Sequence, residues 1–256
     1  MQNFLIVGTQ RTGSSALGDG LGLHPDVVCG WEWTVRAKPW DSIRLAEKAL
    51  KGDFNSLVAR HQEHMVGQHI AEDTVLGFRK LFRSSNWWLL HPRFSPTLWL
   101  DRFEGYLAWL RRHPNIKIIH IYRGDNLAWL KSKALSRKSG RYFGEAYQQD
   151  LTAAISVNEA KRRILAKNWV DGRLSVLGET NPYIEVCYER FLENNHVVLS
   201  EVLKFLGCDP DRLPELESHM RAKPQSKKGT QDMLVNYAEL ELALGQQGLL
   251  TSSLDG

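Results

Sequence analysis

Short apolar runs alternate with longer amphipathic stretches along this chain. Three runs are continuous enough to be strands buried on both faces: residues 3–7, 116–122 and 183–188, with 75–78 as a shorter candidate. Segments with helical spacing of apolar residues lie between and around them, at 14–23, 40–50, 54–69, 98–112, 126–135, 145–169 and 195–206. Isolated buried strands that alternate with helices predict an α/β fold in which helices cover both faces of a parallel sheet.

The loop after the first strand carries the most distinctive chemistry. Gly8-Thr9-Gln10-Arg11-Thr12-Gly13-Ser14-Ser15 is bracketed by glycines and opens a helix-compatible stretch. In such a unit, backbone N–H groups and the positive end of the helix dipole converge on an anion. The spacing matches a nucleoside-triphosphate loop, but Ser14 replaces the lysine that grips a β/γ-phosphate pair. The loop predicts a site for a phosphate-like group; the alternative is a tight turn without a ligand.

A second anion site is predicted after the strand at 116–122. Arg123 follows this strand directly, and Ser132 lies nine residues further on, within the predicted helix at 126–135. Ligands of parallel sheets bind beyond the carboxyl ends of the strands, and a guanidinium suits phosphate-like groups. A P-loop nucleoside triphosphatase would typically place an acidic metal ligand at this strand end. The alternative is a surface ion pair between Arg123 and Asp125, although Asp125 is also a natural helix cap.

Composition sets broad limits on partners and compartment. The chain has 256 residues, 43% hydrophobic and 24% charged, without a repeat or a clear linker, so we expect one domain over residues 1–256. Its net charge of +4 suits anionic ligands but is too small to predict nucleic-acid binding. Three scattered cysteines without metal-ligand spacing fit a reducing compartment. With no signal peptide and no apolar membrane span in the sequence, we expect a cytoplasmic protein.

Taken together, the two loops resemble those of a known family. GTQRTGSS at 8–15 resembles the 5′-phosphosulfate loop of sulfotransferases that use 3′-phosphoadenosine 5′-phosphosulfate (PAPS), although Gln10 stands where the family usually has proline. YRGDNLAWLKS at 122–132 resembles their 3′-phosphate segment, and YERF at 188–191 is similar to their Tyr-Glu-Asp-Leu motif. The resemblance implies a P-loop NTPase-like sulfotransferase fold, a parallel sheet flanked by helices on both faces, from about residue 4 to 245.

The resemblance also implies the residues that bind the donor. Arg11 would lie beside the bridging oxygen, where its permanent charge stabilises the leaving group. Tyr188 would approach the adenine, or else be a core aromatic. The 5′-phosphosulfate would be bound by Thr12, Gly13, Ser14 and Ser15, and the 3′-phosphate by Arg123 and Ser132. Lys228 and Gly229 are further candidates, because the triplet Lys-Lys-Gly at 227–229 is similar to the family's Arg-Lys-Gly.

Glu32 is the candidate general base for the acceptor hydroxyl. It follows a segment, 24–29, that resembles the family's strand leading to an acidic residue near the acceptor. Between Trp31 and Trp33 its carboxylate would be partly desolvated, which raises the pKa of a carboxyl toward a useful range. The alternatives are a surface ion pair of Glu32 with Arg36, or a histidine base, for which the sequence offers His61, His64 and His69.

Three further residues are candidates for contact with the acceptor. Arg79 and Lys80 resemble the family's Gly-Phe-Lys segment, although they could equally be a solvated pair. Trp33 belongs to a set of nine tryptophans, several of them in segments expected to shape the acceptor side. Because exposed indoles stack on sugar faces, these residues favour a carbohydrate or a lipid-linked sugar as the acceptor; the alternative, expected for most of the tryptophans, is packing in the core.

The resemblance therefore implies an enzyme that moves a sulfuryl group from PAPS to a hydroxyl by in-line displacement. A sulfuryl group carries less negative charge than a phosphoryl group, so we expect no metal ion to be needed. Two other classes remain open at this point. One is a P-loop small-molecule kinase that binds ATP with Mg²⁺, and the other is a non-catalytic nucleotide-binding homologue.

Overall fold

A computed structural model describes residues 3–32, 75–82, 96–140, 150–214, 229–252 and 254 of the chain. Within them, five strands form one sheet in the order β2-β3-β1-β4-β5, and every neighbouring pair is parallel. The strands are β1 (Asn3–Thr9), β2 (Val27–Glu32), β3 (Val75–Phe82), β4 (Lys117–Tyr122) and β5 (Tyr183–Cys187). The predicted parallel sheet is confirmed, with the most N-terminal strand at its centre.

The described helices are α1 (Ser14–Leu21), α2 (Pro96–Arg111), α3 (Asn126–Ser139), α4 (Val157–Ser175), α5 (Tyr188–Glu193), α6 (Asn195–Leu206), α7 (Thr230–Met233) and α8 (Tyr237–Gly245). Short 3-10 turns follow at Val176–Glu179 and Pro210–Arg212. None of the helices in the described part of the chain combines the length and the apolar character needed to cross a membrane.

Successive residues of β1 point to opposite faces of the sheet and enter two different cores. Phe4 and Ile6 pack in a cluster with apolar residues of α1 and α6. Leu5 and Val7 pack in a second cluster with residues of α2 and α4. Helices therefore cover both faces, which is why the strand reads as a continuous apolar run.

The predicted start of one helix differs clearly from the structure. The helix predicted over 145–169 begins at Val157, where the Ser156 side chain caps it, whereas 141–149 lie outside the described residues. Ala153 is instead held in a bridge: its N–H donates to the Met233 carbonyl and its carbonyl accepts from the Val235 N–H, both at 2.9 Å. This tertiary pairing overrides the local helical pattern. The helices predicted at 40–50 and 54–69 also lie outside the described residues.

Gly77 tests how tightly the core is packed around β1. A Cβ at this position of β3 would lie 1.9 Å from Cζ of the buried Phe4, so we expect Gly77→Ala to lower the free energy of unfolding by about 1 to 3 kcal/mol. Urea denaturation measures the change. Gly105→Ala is the matched control, because its site in α2 is open and removing a helix-interior glycine stabilises by about 0.5 to 1 kcal/mol. An unchanged stability in Gly77→Ala would contradict this packing.

Candidate anion-binding site at the carboxyl edge of the sheet

The loop between β1 and α1 has a backbone suited to binding an anion. Arg11 and Gly13 have φ values of 72° and 85°, in the left-handed region that helps turn consecutive N–H groups toward one concave side. The buried Thr12 hydroxyl donates to the Thr9 carbonyl at 2.8 Å and closes the base of the loop. No side chain caps α1, and its first turn contains no acidic residue, so no carboxylate there competes for the positive helix end.

The two glycines of the loop allow close approaches by other parts of the chain. A Cβ on Gly8 would lie 2.2 Å from the Ile121 carbonyl oxygen of β4. A Cβ on Gly13 would lie 2.1 Å from Cδ2 of Tyr188, so the tyrosine ring lies directly against the loop. The Arg123 guanidinium lies 4.7 Å from the centroid of the same ring, in a cation–π contact. Tyr188 thus joins the two predicted anion sites, and it is the first residue of α5 rather than the last of the preceding strand.

The loop after β1 and the segment after β4 are also linked directly. The Arg11 Nε donates to the Ser132 hydroxyl on α3 at 3.0 Å, across 121 positions of sequence. The Arg123 Nη1 lies 3.5 Å from the Arg11 carbonyl oxygen, and the Trp129 indole N–H donates to the Gln10 carbonyl at 2.9 Å. The structure therefore brings Arg11, Arg123 and Ser132 together at one edge of the sheet.

Glu189 is a residue of this site to which the sequence reasoning gave no role. Its carboxylate accepts from the Arg123 Nε at 3.2 Å and from the Gly124 backbone N–H at 2.9 Å. The alternative in which Arg123 pairs with Asp125 is wrong, because Asp125 caps α3 by accepting from the Ala128 N–H at 2.8 Å. The sequence did contain a signal for Glu189, because this residue lies in the first turn of a helix that directly follows a strand of the sheet.

Several basic side chains lie close to the site. Lys131, the residue before Ser132, has a lowered pKa because burial disfavours its charged form and the nearby charge of Arg123 disfavours it further. Arg11 contributes a third basic side chain at this edge. Glu189 pairs with Arg123, and the charges of Asp125 and Asp232 act on the pKa of Lys131 in the opposite direction, so carboxylates offset part of this positive charge.

Arg79 occupies a different position, beneath α1. It is 4% exposed, and a Cβ on Gly18 would lie 3.2 Å from both the Arg79 Cδ and the Cys29 Sγ. Burial raises the pKa of the Cys29 thiol to about 12, while the charge of Arg79 acts in the opposite direction. The interpretation of Arg79 as a solvated surface residue is therefore wrong.

Several predicted residues are described only in part. Glu32 ends β2, and its backbone lies opposite Arg79 after an irregularity in the strand pairing. The side chains of Glu32 and Lys80 lie outside the description, as do Trp33, Lys228 and the three candidate histidines. Gly229 precedes α7, and its N–H donates to Asp232 at 3.1 Å. Among the described residues, no three His, Cys, Asp or Glu side chains are grouped as metal ligands would be.

Comparison with known proteins gives a family match and structural similarities. The chain is similar to the sulfotransferase domain of the Synechococcus PCC 7002 olefin synthase, at 16% identity over 96% of this chain and 92% of that one, with a TM-score of 0.45. It is also similar to a sulfotransferase from Alicyclobacillus acidocaldarius, at 14% identity over 96% of this chain and 94% of that one, with a TM-score of 0.46. Sulfotransferase STF9 from Mycobacterium avium is 11% identical over 96% of this chain and 76% of that one, with a TM-score of 0.47. A search of curated proteins gave no match.

The family match spans most of the chain. A model described as the sulfotransferase family matches residues 3–212. This range contains the five strands of the described residues, the loop after β1, and the side chains of Arg123, Ser132 and Glu189 at the carboxyl edge of the sheet. The chain belongs to the sulfotransferase family.

Proposed function

We propose that this chain transfers a sulfuryl group from PAPS to a hydroxyl of a carbohydrate or a lipid-linked sugar. The observation that carries the proposal is the contact between the Arg11 Nε and the Ser132 hydroxyl at 3.0 Å. It joins a strand–loop–helix anion site to a second basic site after β4. Adjoining sites of this kind suit a nucleotide that carries an anionic group at both its 5′ and its 3′ positions.

The donor groups at this edge fit PAPS, which supplies the activated sulfuryl group when bound. The resemblance of the two loops assigns the 5′-phosphosulfate to the first loop and the 3′-phosphate to Arg123 and Ser132. Tyr188 would face the adenine, with Lys228 and Gly229 as further contacts. The residues of the first loop that would donate N–H or hydroxyl groups are Thr12, Gly13, Ser14 and Ser15.

Arg11 has the central part in the proposed mechanism. Its permanent positive charge stabilises the negative charge that develops on the leaving group during in-line displacement. Its hydrogen bond to Ser132 orients the guanidinium before the reaction begins. We propose that no metal ion is required, because a sulfuryl group carries less negative charge to be neutralised than a phosphoryl group.

Glu32 would accept the proton of the acceptor hydroxyl. It lies at the carboxyl end of β2, the same edge of the sheet from which the loop after β1 emerges. Trp33 and Lys80 would bind the acceptor, without the Arg79 side chain, which is buried beneath α1. The tryptophans of that region suit a sugar face. We also propose a cytoplasmic location, which the lack of a disulfide among Cys29, Cys187 and Cys208 fits.

A thermal-shift titration tests the donor. 3′,5′-Adenosine bisphosphate should stabilise the protein more than ATP with Mg²⁺ does, because it carries both phosphates that the two sites would bind. A ligand at about 100 times its Kd stabilises by about 2.7 kcal/mol, which raises Tm by about 5 to 10 °C in a domain of this size. Stabilisation by ATP with Mg²⁺ alone would overturn the proposal and support the kinase.

Arg11→Ala should lower kcat by about 10² to 10³-fold, the usual effect of removing one donor that stabilises transition-state charge. Donor affinity should change by less than about tenfold, because Arg11 acts mainly as charge develops. Release of 3′,5′-adenosine bisphosphate from PAPS, measured with a panel of sugar and glycolipid acceptors, reports the rate. Arg137→Ala is the control, because Arg137 is an exposed arginine on α3 that pairs with Glu159 at 3.9 Å.

An unchanged rate in Arg11→Ala would contradict the role of Arg11. A wild-type protein that binds the bisphosphate but turns over PAPS with none of the acceptors would identify it as a non-catalytic homologue.

Glu32→Gln should lower kcat/KM by about 10² to 10⁴-fold, the usual contribution of a general base. Because the base must be deprotonated, the wild-type rate should rise with pH through the pKa of Glu32, and this rise should disappear in the variant. The pH profile of kcat/KM measures both effects. Near-normal activity of Glu32→Gln would contradict its role as the general base and leave His61, His64 or His69 as the candidates for that role.

A further inference from the structure

Residues 249–252, here called the closing segment, lie against the three residues that follow Arg123. Asp125 and Thr251 form an antiparallel bridge. The Asn126 backbone N–H donates to the Leu250 carbonyl at 3.0 Å, and its side-chain Nδ2 donates to the carbonyls of Leu249 and Thr251 at 3.1 and 2.8 Å. The Ser252 N–H donates to the Gly124 carbonyl at 2.8 Å. The closing segment therefore fixes the backbone from Gly124 to Asn126.

Lys167 of α4 reaches the end of this segment from the interior of the protein. Its side chain and that of Asp171 are both 0% exposed, and the Lys167 Nζ lies 3.1 Å from the Asp171 Oδ2. The same Nζ lies 3.5 Å from the hydroxyl of Ser252, which is itself buried. On its other side, the Asp171 Oδ1 lies 3.6 Å from the Nε2 of His120 on β4. A buried charge pair thus connects the core to the closing segment.

Stability alone gives a poor account of this pair. Removing two charges from water costs about as much as their attraction returns, and well-packed apolar residues in their place are often equally stable or more so. What the lysine adds is a donor at a fixed point, since α4 packs against the sheet through Val170 and Leu174. That donor contacts the one residue of the closing segment whose N–H binds the Gly124 carbonyl.

The peptide after Arg123 is held from two directions. Glu189 accepts from the Gly124 N–H and from the Arg123 guanidinium, whereas Ser252 donates to the Gly124 carbonyl. We propose that Lys167 is a positioning residue for the second anion site, acting through Ser252 and Gly124 to align Arg123 with the 3′-phosphate of the donor. This inference rests on the proposed function and adds a determinant of selectivity for the 3′-phosphate.

The test compares two nucleotides that differ only in the 3′-phosphate. Affinities of the 256-residue protein for 3′,5′-adenosine bisphosphate and adenosine 5′-phosphate are measured by calorimetry. Lys167→Met should weaken bisphosphate binding by about tenfold or more, the size of effect expected for a misaligned charge-assisted contact, and change adenosine 5′-phosphate binding by less than about twofold. Lys161→Met is the matched control, the same substitution at an exposed position of the same helix.

Lys167→Met leaves the Asp171 carboxylate buried without its partner, which could prevent folding. Two further variants test the proposal in that case. The double variant Lys167→Met with Asp171→Leu removes both charges together. Ser252→Ala removes the hydroxyl that receives the lysine contact and also accepts from the Leu254 N–H at 3.4 Å, while it leaves the Lys167–Asp171 pair intact. Both should lower the preference for the bisphosphate in the same direction.

The outcomes separate a positioning role from a structural one. A lost preference in the Lys167 and Ser252 variants, kept in Lys161→Met, supports the proposal. An unchanged preference, or an equal loss of affinity for both nucleotides, overturns it. A wild-type protein that binds the two nucleotides equally would overturn the proposed function itself, and the variants would then have no preference to lose.

Discussion

At Gly8 the backbone of β1 passes so close to β4 that any side chain would meet the Ile121 carbonyl, only 2.2 Å from an added Cβ. The candidate site depends on this approach. Arg11 follows Gly8 by three residues and Arg123 follows Ile121 by two, so the close contact of the strands sets the separation of the two basic side chains. The hydrogen bond from Arg11 to Ser132 and the contact of Arg123 with the Arg11 carbonyl follow from it.

Local patterns were sufficient to predict four of the five described strands and the first loop, whereas β2 was indicated only by the resemblance of 24–29 to a strand of the family. Buried parallel strands read as apolar runs, and the paired glycines with the following helix start are a short-range motif. These features lie within a few residues of each other, so one sequence contains the whole signal. The same reasoning placed Arg123 at a strand end, because strand ends of a parallel sheet share one edge.

Contacts between distant residues could not be predicted in this way. Glu189 clamps Gly124 across 65 positions, and Lys167 reaches Ser252 across 85. No periodicity encodes such pairs, since they depend on how helices pack onto the finished sheet. The pairing of Ala153 with the backbone around Leu234 moved a predicted helix boundary for the same reason.

Arg11 has a left-handed backbone conformation that lowers the stability of the fold, while its side chain carries the charge on which the proposed activity depends. A non-glycine residue in that region carries strain of about 1 to 2 kcal/mol, which glycine would not. Selection for thermal stability alone would therefore favour glycine at position 11 and remove the charge that the proposed reaction uses. A stabilised variant of this protein obtained without an activity screen is expected to lose the proposed activity at this residue first.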